Sequence, residues 1–194
     1  MGPAGSPGGR PLRLFVAVDV PDDAERAVEQ AVAPIRAAFP RARWAPPPNW
    51  HVTLKFLGST DPRLVGWVRG TVAGVASAHA SVPTALTGLG SFPSATRTRV
   101  LWAGLDDARG NLAAIARDLD EAFAADVPPE ARAFTAHLTV ARSDPPLRLD
   151  RALLATRLEA EPFTIERLVL YRSHLGRPAP RYEVLATFPL AVPG

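Results

Sequence analysis

The sequence predicts an α+β fold built on antiparallel sheets, with its central unit made twice. Three observations carry this. Runs rich in branched and aromatic residues alternate with runs whose apolar residues recur every three or four positions. Proline-rich connectors and Gly/Ser/Pro loops join them, with hairpins expected. A strand–acid–helix–strand unit occurs twice: 32 positions separate Asp19 from His51 and 31 separate Asp106 from His137. Matched order and spacing read as an internal duplication.

Residues 1–11 are rich in Gly and Pro and lack the apolar core of a secretory signal, so a disordered tail is expected there. Residues 12–194 then form one domain. The run 12–20 (LRLFVAVDV) reads as a strand. Pro21 with Asp22 and Asp23 opens a helix, since proline fits a first turn and acids complement its dipole. Val28, Val32, Ile35 and Phe39 form its apolar stripe, and Pro34 is expected to kink the helix or end it early. The connector WAPPPN at 44–49 leads to a strand over 51–57, closed by Gly58. Asp61 and Pro62 start a second helix, with Leu64, Val68, Val72 and Val75 as its stripe. Strands are expected over about 82–89 and 97–105. The second copy sets Leu112, Ile115, Leu119 and Phe123 on a helix, Pro128 and Pro129 in the connector, and a strand from His137. A short helix near 151–158 and strands around 163–171 and 182–190 complete the chain.

Composition narrows the chemistry. The 194 residues are 47% hydrophobic and 21% charged, the balance of a globular chain, and a cytoplasmic protein is expected. No run approaches the roughly 18–20 apolar residues of a membrane helix, so no membrane partner is expected. There is no cysteine, which excludes disulfides, thiolate zinc sites and cysteine nucleophiles. The four histidines are scattered and no H-E-x-x-H spacing occurs, so neither a metal nor another cofactor is implied. The net charge is only +3, yet the pI is about 10.1, because Lys55 is the only lysine among many arginines. Arginine forks onto phosphate oxygens, which suits a phosphate-bearing ligand. A general bias toward Ala, Pro and Arg accounts for the composition equally well.

The motifs are more specific. His51-Val52-Thr53-Leu54 and His137-Leu138-Thr139-Val140 each place a histidine and a threonine two apart. In a strand such pairs share one face, leaving the apolar residues for the core. A single His-x-Thr is common, and a lone histidine is usually packed or solvated. Packing does not require the same polar pair twice. Related by a pseudo-twofold, two imidazoles and two hydroxyls would oppose each other across a cleft. That set suits in-line displacement at phosphorus. Imidazole offers both proton states near neutral pH, and hydroxyls can donate to the non-bridging oxygens.

At these residues the chain resembles the two-histidine (2H) phosphoesterases, and within them the RNA 2′,3′-cyclic phosphodiesterases, also called 2′-5′ RNA ligases. The matching stretches are LFVAVDVP (14–21), RWAPPPNWHVTLKFLG (43–58), GLGSFP (88–93), VLWAG (100–104), HLTVAR (137–142) and LYRSHLGRPAPRYEVLATFPL (170–190). The resemblance implies a bilobal, pseudo-twofold fold of antiparallel sheets with outer helices and a central cleft. It implies metal-free hydrolysis of a terminal 2′,3′-cyclic phosphate to a 2′-phosphate, and in some members reversible 2′-5′ ligation. By position it makes His51 the general acid, His137 the general base, and Thr53, Thr139 and Arg142 phosphate ligands. The residues themselves leave open which histidine is the acid. Strict alternation would turn Arg142 away from His137, so a strand end, a bulge or a curled side chain is expected there. Ala136 stands where relatives often carry proline.

The expected partners are RNA 3′ ends or nucleotides bearing a cyclic phosphate, met by a monomer. Two rival readings stay open: a 2H activity on a small cyclic nucleotide or ADP-ribose-type cyclic phosphate, and an RNA-end binding or ligating module. Phe56 is expected in the core by alternation. Trp44 and Trp50 are expected to fill the core edge, although either could stack on a base. Arg43, Arg97, Arg99 and Arg172 are expected as solvated surface charges, and His79 and His174 as surface residues.

Overall fold

The computed structural model describes residues 10–177 and 179–192, so the tail expected over 1–11 lies almost wholly outside the described residues. In chain order the elements are β1 (Leu12–Val18), α1 (Asp22–Ala38), β2 (Arg43–Trp44), β3 (Val52–Thr60), α2 (Val65–Ala78), β4 (Val82–Thr84), β5 (Leu86–Phe92), β6 (Thr98–Leu105), α3 (Asn111–Ala122), β7 (His137–Leu147), α4 (Arg151–Leu154), β8 (Phe163–Ile165), β9 (Arg167–His174) and β10 (Arg181–Pro189).

The duplication is visible in the sheet, ordered β10-β9-β1-β3-β7-β6-β5 with every neighbouring pair antiparallel. In the first half β1 pairs with β3 and is flanked by β9. In the second, β6 pairs with β7 and is flanked by β5. The halves meet at one residue pair, Val52 with Leu138. The connector strand β2 also crosses to pair with β7.

Helices cover one face of the sheet. Leu14, Val16 and Val18 of β1, Val28, Val32 and Ile35 of α1, Leu101, Ala103 and Leu105 of β6, and Leu112, Ile115 and Leu119 of α3 all belong to one contiguous core. Each Val, Leu or Ile among them contributes up to about 1.5–3 kcal/mol by leaving water. Pro34 neither ends nor shortens α1. It sits on the exposed side of the helix, where the carbonyl it leaves unpaired, that of Gln30, can be met by water. The strand expected over 82–89 is split, because Thr84 pairs with Phe163 of β8 whereas Leu86 pairs with Leu105 of β6. The helix expected near 151–158 is a single turn, capped by Asp150. No helix among the described residues is long and apolar enough to cross a membrane.

Two register irregularities set which residues reach each face of the sheet. Along β3 the partner of Ala17 is Thr53 and that of Val16 is Lys55, so Leu54 is an extra residue. Along β7 the partner of Trp102 is Thr139 and that of Leu101 is Ala141, so Val140 is extra. Each bulge falls one residue after the threonine of its motif.

Candidate active site

Both motifs stand at the seam between the half-sheets. His137 is the first residue of β7, and His51 immediately precedes β3. Since Val52 pairs with Leu138, the antiparallel register sets His51 beside Thr139 and Thr53 beside His137. Alternation brings these four side chains to one face, while Val52, Leu54, Leu138 and Val140 are buried on the other. The sequence predicts this convergence, and the two motifs meet as neighbours at the seam of one sheet.

Each ring faces the backbone two residues upstream. His137 Nδ1 lies 2.7 Å from the Thr135 carbonyl. Donation there places the proton on Nδ1 and leaves Nε2 for the site. The backbone of Asn49, likewise two residues upstream, faces His51 and favours its protonated form. The Asn49 side-chain amide donates to the Pro180 carbonyl at 2.7 Å, tying this loop to the turn between β9 and β10.

Aromatic rings wall both histidines. His51 stacks on Phe15 with centroids 4.8 Å apart and meets the edge of Tyr182 at 5.1 Å. Phe15 stacks in turn on Tyr171 at 5.1 Å. Tyr182 belongs to β10, three strands from β3; at about 4.8 Å per strand a flat sheet would hold it far away, so this half curls over His51. His137 faces the edge of Phe92 at 5.2 Å, with Trp102 at 6.0 Å. The Trp102 indole lies across Gly90, where an added Cβ would come within 2.1 Å of it.

Burial among these rings disfavours imidazolium. It pushes His51 down to about 4, and the Asn49 backbone and the charge of Asp19 offset only part of this. His137 is lowered too, first by burial; the Thr135 carbonyl opposes this and the Arg142 cation adds to it. An anion held between them would raise both, because an opposite charge favours the protonated form.

The bulges settle the residues that follow each threonine. Val140 shifts the phase of β7, so Arg142 pairs with Val100 and shares the face of Trp102 and Thr139. Of the strand end, bulge or curled side chain expected there, the bulge is the one present. In β3 the same shift overturns the expectation for Phe56. Lys55 turns inward, 1% exposed, with Nζ 2.5 Å from Asp120 Oδ1 and donating to the Pro128 carbonyl at 3.0 Å. Phe56 turns to the site face, 6.1 Å from Phe15 and 53% exposed. Counted from its histidine, Phe56 occupies in the first half the position Arg142 occupies in the second.

The tryptophans fill the core edge as expected: Trp50 is buried with Nε1 on the Ala45 carbonyl, and Trp44 bonds the Phe39 carbonyl. Arg43 pairs across from Arg142. Arg99 reaches Asp144 at 3.0 Å, and Arg172 lies 3.8 Å from Glu183. His79 and His174 are half-buried rather than free at the surface, bonded to Asp118 at 2.8 Å and Glu183 at 2.6 Å. Sequence reasoning missed Phe15, Phe92, Trp102, Tyr171 and Tyr182 as site residues. Their signal is weak: aromatic residues on strands remote from both motifs.

The family model described as the 2′-5′ RNA ligase superfamily matches residues 19–177, most of the chain and both motifs. The chain belongs to this superfamily. Among its members, an RNA 2′,3′-cyclic phosphodiesterase of Thermus thermophilus is 30% identical over 188 residues, covering 92% of this chain and 90% of that protein. One of Geobacillus stearothermophilus is 30% identical over 180 residues, and this chain spans 91% of its own length but only 56% of that relative's. A solved structure from Thermus thermophilus superposes with a TM-score of 0.74 at 26% identity, covering 92% of this chain and 98% of that one. LigT of E. coli in complex with 3′-AMP shares the fold, with a TM-score of 0.69 at 22% identity over 93% and 98% of the two chains.

Proposed function

We propose that this chain hydrolyses the 2′,3′-cyclic phosphate at RNA 3′ ends to a 2′-phosphate, without a metal, by proton transfer through His51 and His137. The observation that carries this reading is the seam. Two imidazoles, that of His137 anchored through Nδ1, stand beside two threonine hydroxyls on one face, with Arg142 brought to that face by a bulge. The RNA 2′,3′-cyclic phosphodiesterases of similar sequence support the substrate class.

In this mechanism His137 takes a proton from water as its oxygen attacks phosphorus, and the P–O3′ bond breaks. His51 gives its proton to the departing O3′, leaving a 3′-hydroxyl and a 2′-phosphate. Thr53, Thr139 and Arg142 hold the non-bridging oxygens, where hydrogen bonds from preorganised donors stabilise charge as the transition state forms. An RNA 5′-hydroxyl in place of water gives a 2′-5′ linkage by the same steps. The exposed Phe56 ring beside Phe15 offers a stacking surface for the terminal base, worth about 1–3 kcal/mol. The proton transfers are assigned to the two imidazoles.

The test is a short RNA ending in 2′,3′-cyclic phosphate, incubated with the chain in EDTA and without ATP, with the product identified by chromatography. A 2′-phosphate is expected, lost in both His51→Ala and His137→Ala. Turnover confined to free cyclic nucleotides supports the small-ligand reading instead, and tight RNA binding without turnover supports an end-binding module. Unimpaired turnover in either histidine variant sinks the mechanism.

A further inference from the structure

The two copies use their strand-end acids differently. Asp106 serves the local turn: its carboxylate accepts the Ala108 N–H at 3.0 Å, and its backbone bonds Ala85 and Thr84. Asp19 has been drawn into a distant contact. Its Oδ1 accepts the Tyr171 hydroxyl at 2.5 Å, across 152 positions of sequence, and Arg167 lies 3.7 Å from Oδ2. Val18 pairs with Val52, so one residue further on Asp19 falls beside His51, on the face that carries Ala17 and Phe15. Tyr171 is stacked on Phe15, which is stacked on His51. The carboxylate, its tether and the imidazole thus belong to one packed cluster, and among the described residues the second copy has no counterpart to the tether.

We propose that Asp19 is a positioning residue for His51: held by Tyr171, it supplies negative charge that favours the protonated ring as the proton passes to the leaving oxygen. This rests on the reading of His51 as the acid. The need is physical, because a ring enclosed by Phe15, Tyr171 and Tyr182 loses the hydration that favours imidazolium. The other groups facing this cluster do not supply such a charge. Tyr171 and Tyr182 stay neutral, both pushed above the usual phenol range, first by burial. Arg167, which reaches Asp19 from β9, and Arg142, near enough to lower Tyr182 from the other half, are cations. Glu25 of α1 lies near enough to Asp22 and Asp19 to be raised by both, after burial.

The experiment titrates His51 by NMR in the full chain and measures rate against pH on a cyclic-phosphate-terminated RNA. Asp19→Asn keeps an acceptor for Tyr171 and removes the charge. Its His51 midpoint is expected to fall, and kcat at pH 7 to drop about tenfold with KM changed less than about twofold, recovering as pH is lowered. Asp19→Glu is expected to restore most of the rate, and Tyr171→Phe, which frees the carboxylate, to lie between. An unmoved His51 midpoint in Asp19→Asn overturns the proposal, as does a loss equal at every pH that Asp19→Glu does not relieve. A midpoint that moves while the rate profile does not upholds the coupling and instead removes His51 from the acid role. Should Asp19→Asn fail to fold, the midpoint in Tyr171→Phe decides: a fall supports the coupling and no change overturns it.

Discussion

The two halves share a motif and a bulge, and differ in what surrounds them. Around His51 stand Phe15, Tyr171 and Tyr182, with Phe56 exposed beyond. Around His137 stand Phe92 and Trp102, and the place of Phe56 is taken by Arg142. Duplication accounts for the convergence of the chemical groups. Divergence sets the halves apart: one exposes the Phe56 ring where the other carries the Arg142 cation. A symmetric pair of imidazoles has no preferred acid; under the proposed mechanism the unequal neighbours would create one.

The largest effect expected is loss of the shared chemistry. His51→Ala and His137→Ala should each lower kcat on the cyclic-phosphate RNA about 10²–10⁴-fold, the span usual for acid–base catalysis. Because both act in one step, the double variant should lose no more than the worse single one. Multiplicative losses, measured in single-turnover reactions, would break the picture of a concerted pair.

Next comes the position at which the halves diverge. Arg142→Gln should cost about 1.5–3 kcal/mol, roughly ten- to a hundredfold in kcat/KM, as for a lost charged hydrogen bond. The loss should be the same for every base, and lysine should restore only part of it. Phe56→Ala should cost less, about 1 kcal/mol, chiefly in KM. It should leave a base-free ribose cyclic phosphate unaffected; an equal loss on that substrate would show that Phe56 supports the sheet rather than the base.

The smallest effect is electrostatic. Arg142 opposes a second positive charge on His137, so in Arg142→Gln the His137 midpoint by NMR should rise and that of His51 should move less. In the free chain both midpoints should lie below the ordinary histidine value of about 6.5, since burial lowers each. The kcat/KM profile should therefore sit on the acid side of the kcat profile, because an anion held between them would raise both groups.

How much of the fold and site is legible in the sequence depends on the range of the signal. The stripe Leu112, Ile115, Leu119, Phe123 predicts α3 because helical periodicity is local, and all four are fully buried. His51 with Thr53 and His137 with Thr139 are readable for the same reason. Period-two counting misplaces Phe56 because it has no mark for an extra residue; Leu54 looks like any other strand leucine. Tyr171 and Tyr182 enter the first half through pairing with β1 and the curl of the sheet, which no local pattern records. Pro34 reads as a helix breaker, yet the solvent side of α1 absorbs it.

Lys55 carries a consequence for handling the protein. As the sole lysine of the sequence it provides the only side-chain amine, and that amine is sealed between β3, Asp120 and Pro128. Acylating or cross-linking reagents can reach it only when this junction opens, so their rate of reaction reports the population of the open form. Immobilisation or dye labelling through lysine would select unfolded molecules. The same residue makes a built-in clock for local unfolding.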